Sequence, residues 1–194
     1  MEYRYIILIL LRKISDGQHF LGRFSAAALG SVALAGCISS GGPILTDAKP
    51  VLGPQGEIHL YTVADGGARD PSVVSFRWNG SRYLFRGRGR AQDVSDFTVH
   101  PYEGRDLIVQ STAARAPRPT EYALARRLTE GAYLIVPIDE NDADEATRAK
   151  FCTKTQDAAC RVTTPEQLFV FAKATAAKVP ESGGLAVVLP SGRR

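Results

Sequence analysis

The chain has 194 residues, with 24 Lys and Arg against 20 Asp and Glu and a formal net charge of +4. That length suffices for one ordinary domain with a real hydrophobic core. A balance so close to neutral is not the footing of a nucleic-acid binder, which needs many uncompensated cations against phosphate.

In chain order, Tyr5 to Leu11 is a first apolar run, ahead of Arg12 and Lys13, and too short to span a bilayer. Phe24 to Ala35 is a second run, uncharged, preceded by Arg23 and closed by Ala35 and Gly36. A basic residue, a short apolar core and then small residues make a secretory signal. Its 12 residues fall short of the roughly 20 that a transmembrane helix needs.

The run ends in Leu34-Ala35-Gly36-Cys37, which resembles the lipobox of bacterial lipoproteins. The resemblance covers residues 1–37 and implies that a dedicated peptidase cuts before Cys37, whose thiol and amine are acylated. Several acyl chains make the membrane the first partner, since one chain alone binds only marginally. In that family an Asp after the cysteine retains the protein in the inner membrane. Ile38 therefore implies the outer membrane facing the periplasm, with the periplasmic side of the inner membrane as the alternative. A signal of 36 residues is long, so translation is expected to begin nearer Leu21, the first twenty residues being an over-called start.

Residues 1–36 hold four Lys/Arg and two Asp/Glu, which leaves 20 against 18, net +2. The charge is uneven: Arg69 to Arg127 has 11 basic and 6 acidic residues, and Leu128 to Cys160 has 3 and 7. With Cys37 spent on lipid, Cys152 and Cys160 remain. An even pair in an oxidising compartment reads as a disulfide.

Residues 37–56 are rich in Ser, Gly and Pro and are expected to be a flexible tether, with a single domain over 57–194. Ile58, Leu60 and Thr62 alternate with His59, Tyr61 and Val63 as in a strand. Val73 to Trp78 and Ser81 to Phe85 flank Asn79-Gly80, which suits the two-residue type I′ turn of a hairpin. Asp96 to His100 and Asp106 to Ser111 flank Pro101-Tyr102-Glu103-Gly104; Tyr122 to Leu128 and Tyr133 to Ile138 flank Thr129-Glu130-Gly131. Two of the hairpins share Glu-Gly-x-x-Leu-Ile-Val, a weak internal repeat.

Helices follow. Asp142 with Glu145 forms a capping-box pattern for a helix running to about Cys152. Thr164-Pro165-Glu166-Gln167 starts another, with Leu168, Phe171, Ala172, Thr175, Ala176 and Val179 on one stripe that should lie on the sheet. Leu185 to Leu189 reads as a last buried strand. The predicted fold is α+β: an antiparallel β-meander of about seven strands built from hairpins, with two helices near the C-terminus.

Chemistry is sparse. The acidic run from Asp139 to Glu145 fails the calcium-loop frame, which puts Ala143, Asp144 and Lys150 at positions 5, 6 and 12. No serine-hydrolase elbow, phosphate loop or dinucleotide fingerprint occurs. His59 and His100 stand alone, and neither a metal site nor a cofactor is expected. Arg77, Arg82, Arg86, Arg88 and Arg90 cluster around Trp78, Tyr83 and Phe85, and arginine suits bidentate contact with phosphate or carboxylate. The expectation is a non-enzymatic envelope lipoprotein, structural or accessory to an assembly of other envelope proteins. The alternatives are a module binding an anionic envelope polymer through the arginine hairpin, or an enzyme with a scattered site using His59 or His100 as base.

Overall fold

A computed structural model describes residues 37–64, 67–68, 72–86, 96–112, 119–154, 160–178 and 184–190. The signal, with Leu34, Ala35 and Gly36, lies outside the described residues, as do Arg88 and Arg90. The strands are β1 (Ile38–Ser40), β2 (Gln55–Ala64), β3 (Gly67–Ala68), β4 (Ser72–Trp78), β5 (Tyr83–Arg86) and β6 (Asp96–Pro101). They continue as β7 (Asp106–Thr112), β8 (Thr120–Thr129), β9 (Ala132–Pro137), β10 (Thr153–Lys154), β11 (Cys160–Arg161) and β12 (Gly184–Pro190). Helices α1 (Glu145–Phe151) and α2 (Pro165–Ala177) lie between β9 and β12.

The architecture is mostly antiparallel β with two helices, as expected, but the meander of about seven strands is corrected to a closed barrel of eight. Eight strands close on themselves in the order β2-β4-β5-β6-β7-β8-β9-β12, each antiparallel to the next, and β12 returns to β2. Ala186 on β12 pairs with Leu60 on one side and Tyr133 on the other. Without β12, β2 and β9 would each present a row of unpaired backbone groups, which closure removes.

The pleat of each barrel strand sends apolar side chains inward, among them Ile58, Phe76, Tyr83, Phe97, Leu107, Ala125, Tyr133 and Val188, one per strand. Phe97 stacks on Tyr83 at 4.8 Å and on Phe85 at 4.3 Å, and Phe76 meets the Tyr83 ring edge-on. So filled, the barrel is a core and not a cup. On β2 and β4 the outward positions include Glu57, Ser75 and Arg77.

A second core lies outside the wall. Ile108, Tyr122, Leu124 and Val136, on the outer faces of β7, β8 and β9, meet Leu168, Phe171 and Ala172 of α2. Thr164 caps that helix by accepting from the Gln167 N–H, with Pro165 in its first turn, as the sequence predicts. The other cap is corrected: α1 begins at Glu145 under Asp144, whose side chain accepts from Thr147 N–H at 2.7 Å. Asp142 sits instead in a 3₁₀ turn, Glu140–Asp142. Its carboxylate accepts from Thr175 Oγ1 at 2.8 Å and pairs with Lys178 Nζ at 2.9 Å, tying the turn to α2.

The stretch expected to be a tether is packed. Ile38 to Ser40 forms β1, antiparallel to the start of β8 and parallel to β11. From Gly41 to Pro54 the chain straps the barrel: Leu45 is buried, Lys49 N–H donates to Val99 O, and Trp78 N–H donates to Pro54 O. Val51 and Leu52 join the interior cluster, and Leu52 N–H donates to the hydroxyl of Tyr83 at 2.9 Å. Ser, Gly and Pro content describes a chain without a ladder of its own, which is also what a strap is.

The turns refine the hairpins. At the first, Asn79 N–H donates to Arg82 O, so the central residues are Gly80 and Ser81, one later than expected. The Asn79 side chain accepts from both Ser81 N–H and Arg82 N–H, and Gly80 has φ +102°. The Glu-Gly-x-x-Leu-Ile-Val repeat is not structural. Leu107 faces the interior and Ile108 the outer core, whereas after the second turn Ile135 packs inward and Val136 outward. Three residues, Glu103 to Arg105, separate the bonded Tyr102 and Asp106, but two separate Thr129 from Ala132. One extra residue flips the pleat of everything that follows.

Candidate functional site

All three cysteines meet at one corner outside the barrel. Cys37 forms an isolated antiparallel bridge with Asp139. Ile38, 0% exposed, pairs with Cys160 on β11 and donates its N–H to Ile138 O. Cys160 in turn lies opposite Lys154 of β10, which follows α1 and its C-cap, Cys152. Cys152 and Cys160 sit at disulfide-bonding distance, with Cα atoms 5.1 Å apart.

The Cys37 thiol is half-buried, and its pKa is pushed up to about 12, chiefly by burial and further by the charges of Asp139 and Glu121. A thiol so held stays protonated and is a poor nucleophile or redox group.

Glu140 completes the corner. Asp139 accepts from Asn141 N–H at 2.8 Å, which winds the 3₁₀ turn and directs Glu140 inward, where it is 4% exposed. Burial raises the Asp139 pKa, partly opposed by the bond from Asn141. Glu140 Oε2 lies 3.2 Å from Cys152 Sγ. One ligand atom from each of Glu140, Cys152 and Cys160 lies within 4.8 Å of the other two. The sequence pairs the cysteines but misses Glu140, because nothing in Asp139-Glu140-Asn141-Asp142 marks which acid turns inward.

The described arginines of the cluster fall on the β4–β5 hairpin, where Arg77 pairs with Leu84 and Ser75 with Arg86. Arg77 is exposed on the outer face of β4, and Arg82 is bound to Asp96 at 2.7 Å, so its charge is already matched. Arg86 ends β5, and Arg88 and Arg90 lie outside the described residues. Tyr83 and Phe85 belong to the barrel interior, with Trp78 packed against it, so these rings offer no surface platform. The histidines stay apart, His59 on β2 and His100 on β6, with β4 and β5 between them in the sheet. His59 lies 3.5 Å from Glu57, and His100 is buried beside Thr98 at 2.7 Å.

No family model matches the chain, and neither curated proteins nor solved structures give a significant match.

Proposed function

We propose that this is a lipid-anchored protein of the bacterial envelope, held in the outer membrane through acylated Cys37 and facing the periplasm, with a scaffolding or accessory role and no catalysis of its own. The observation that carries the reading is Leu34-Ala35-Gly36-Cys37 immediately ahead of the first strand of the fold.

Other features support it. A barrel filled by its own aromatic side chains and closed by a strap works through its outer surface, so other envelope proteins are its natural partners. The Cys152–Cys160 pair, read as a disulfide, suits an oxidising compartment. Among the described residues, no helix is long and apolar enough to cross a membrane. Because Ile38 is buried, an acylated Cys37 would hold the barrel against the bilayer with no spacer.

The test is incorporation of labelled fatty acid in a bacterial host. Wild type should take up label and fractionate with the outer membrane, whereas Cys37→Ser should remain an unlabelled, uncut precursor. An unlabelled wild type that matures normally sinks the reading.

A further inference from the structure

One side of the barrel wall is apolar on its outer face. On β9, β12 and β2 the residues between the inward ones point outward, and the register sets them side by side. Leu134, Leu185 and Tyr61 make one row. Val187, His59 and Val73 make the next, which reaches β4. Leu189, 46% exposed, continues the face along β12. These side chains are half-buried or exposed, and among the described residues they belong to neither core. Elsewhere the outer wall is covered: Ile108, Leu124 and Val136, on β7, β8 and the Pro137 end of β9, pack with α2. The outer face of an antiparallel sheet is ordinarily polar, yet these two rows hold no Asp, Glu, Lys or Arg.

We infer that this wall docks a second copy of the chain, through a self-complementary contact centred on Leu185. Around a twofold axis running along β12, Leu185 meets its own counterpart, and Leu134 of each copy comes opposite Tyr61 of the other. Such a contact sets the same surface against itself. A wall carrying one sign of charge near the axis would repel its copy, and this one carries none.

The position of Cys37 fits the same axis. Strand β9 runs from Ala132 to Pro137 towards Asp139, which bridges Cys37, and β12 runs antiparallel to β9. Cys37 therefore lies beyond the Leu185 end of the wall, and Leu189 points away from it. An axis along β12 keeps both Cys37 residues at one end, so two copies anchored in one leaflet pair side by side. That last step rests on the lipid anchor proposed above. Area decides how tightly. Four strands about 4.8 Å apart, each contributing five residues of about 3.4 Å rise, make a wall of roughly 300 Å². A standard complex buries about 800 Å² per partner. The contact is thus weak in dilute solution and forms where copies are concentrated, as confinement to a membrane concentrates them in the way a tether does.

The test places a photo-crosslinking benzophenone amino acid at Leu185 of the full chain and irradiates the bacterial host. A covalent species of twice the chain mass, containing this chain alone by mass spectrometry, is expected. None is expected from Lys173, which is exposed on α2 away from the wall. Val187→Lys sets like charges across the contact and should cut the Leu185 yield at least about tenfold. If the probe at Leu185 prevents folding, Leu189 takes its place. Adducts with other proteins only, an equal self-adduct from Lys173, or a yield unchanged by Val187→Lys overturns the proposal. Purified chain at about 1 mM, the effective concentration of a short tether, repeats the test without a membrane. No self-adduct there overturns the dimer whatever Cys37 carries. A self-adduct there, from a chain that takes up no labelled fatty acid in cells, sinks the anchor and leaves the dimer standing.

Discussion

The side chain of Gln110 holds Leu45 as a neighbouring strand would: its Oε1 accepts from Leu45 N–H at 3.0 Å, and its Nε2 donates to Leu45 O at 3.2 Å. The same Oε1 accepts from Ile44 N–H at 3.0 Å, and Nε2 also donates to Thr98 Oγ1 at 3.1 Å. One buried amide thereby fastens a strap that has no ladder of its own to β7 and β6. Gln110→Leu keeps the bulk but strips two backbone donors of their acceptor. A buried polar group left unmet costs about 1–3 kcal/mol, so we expect a loss of about 2–5 kcal/mol in urea unfolding. A wild-type midpoint would mean that the strap is held elsewhere.

Beside it, His100 makes the strap sensitive to pH. Burial lowers the His100 pKa below its ordinary 6.5, against an opposing pull from the backbone and carboxylate of Asp47. Thr98 Oγ1 is its other near partner. The unfolded chain therefore takes up this proton at a higher pH than the folded one. Stability is complete above about pH 6.5 and falls as pH drops through that value towards the lower folded pKa. The urea midpoint should decline between about pH 7 and pH 5, and His100→Gln should flatten that decline. Parallel profiles for the two proteins would exclude His100 as the source.

Alternation over Ile58 to Val63, turn residues between the hairpin strands and the apolar run Leu185 to Leu189 mark the barrel strands in the sequence, and Thr164-Pro165 with the Leu168–Phe171 stripe marks α2. These signals are legible because each is local. Closure is not, since it depends on Ala186 finding both Leu60 and Tyr133, residues more than a hundred and more than fifty positions away. The strap is illegible for the opposite reason. Its segment has no period, and its order comes from Gln110 and Tyr83, which belong to other strands. The same limit hides Glu140: its inward direction is decided by the 3₁₀ turn and by α2, not by its neighbours in sequence.

Two glycines separate steric from conformational demand. At Gly80 the backbone has φ +102° and an added Cβ would meet nothing within 4 Å. A side chain there pays only the left-handed penalty, about 1–2 kcal/mol, so Gly80→Ala should be mildly destabilising and Gly80→Val somewhat more so. At Gly56 a Cβ would stand 2.5 Å from Leu189 O and 3.0 Å from the Phe76 ring. The obstruction includes backbone of β12, the strand that closes the barrel, so Gly56→Ala should cost more than Gly80→Ala. Thermal unfolding of the pair gives the order, and the reverse order would contradict the packing of β2 against β12.

Ile38 sits between the proposed anchor at Cys37 and the fold. It follows the cysteine, where the family resemblance places a sorting signal, and it is also fully buried in the outer core. Ile38→Asp, the natural test of sorting, would therefore bury a carboxylate among apolar side chains. An unpaired buried charge costs several kcal/mol, so the variant should lose on the order of 3 kcal/mol or more. Ile38→Val removes one methylene and should lose only about 0.5–1.5 kcal/mol. Urea unfolding of unlipidated chains carrying Cys37→Ser measures both without the membrane. If the Asp variant is as stable as its parent, β1 is not part of the folded body, and residues 37–56 are the tether that their composition suggests. If it is destabilised as expected, altered localisation of Ile38→Asp in cells reports misfolding together with sorting. A substitution tolerated by the core, such as Ile38→Val, is then the proper baseline for reading the anchor.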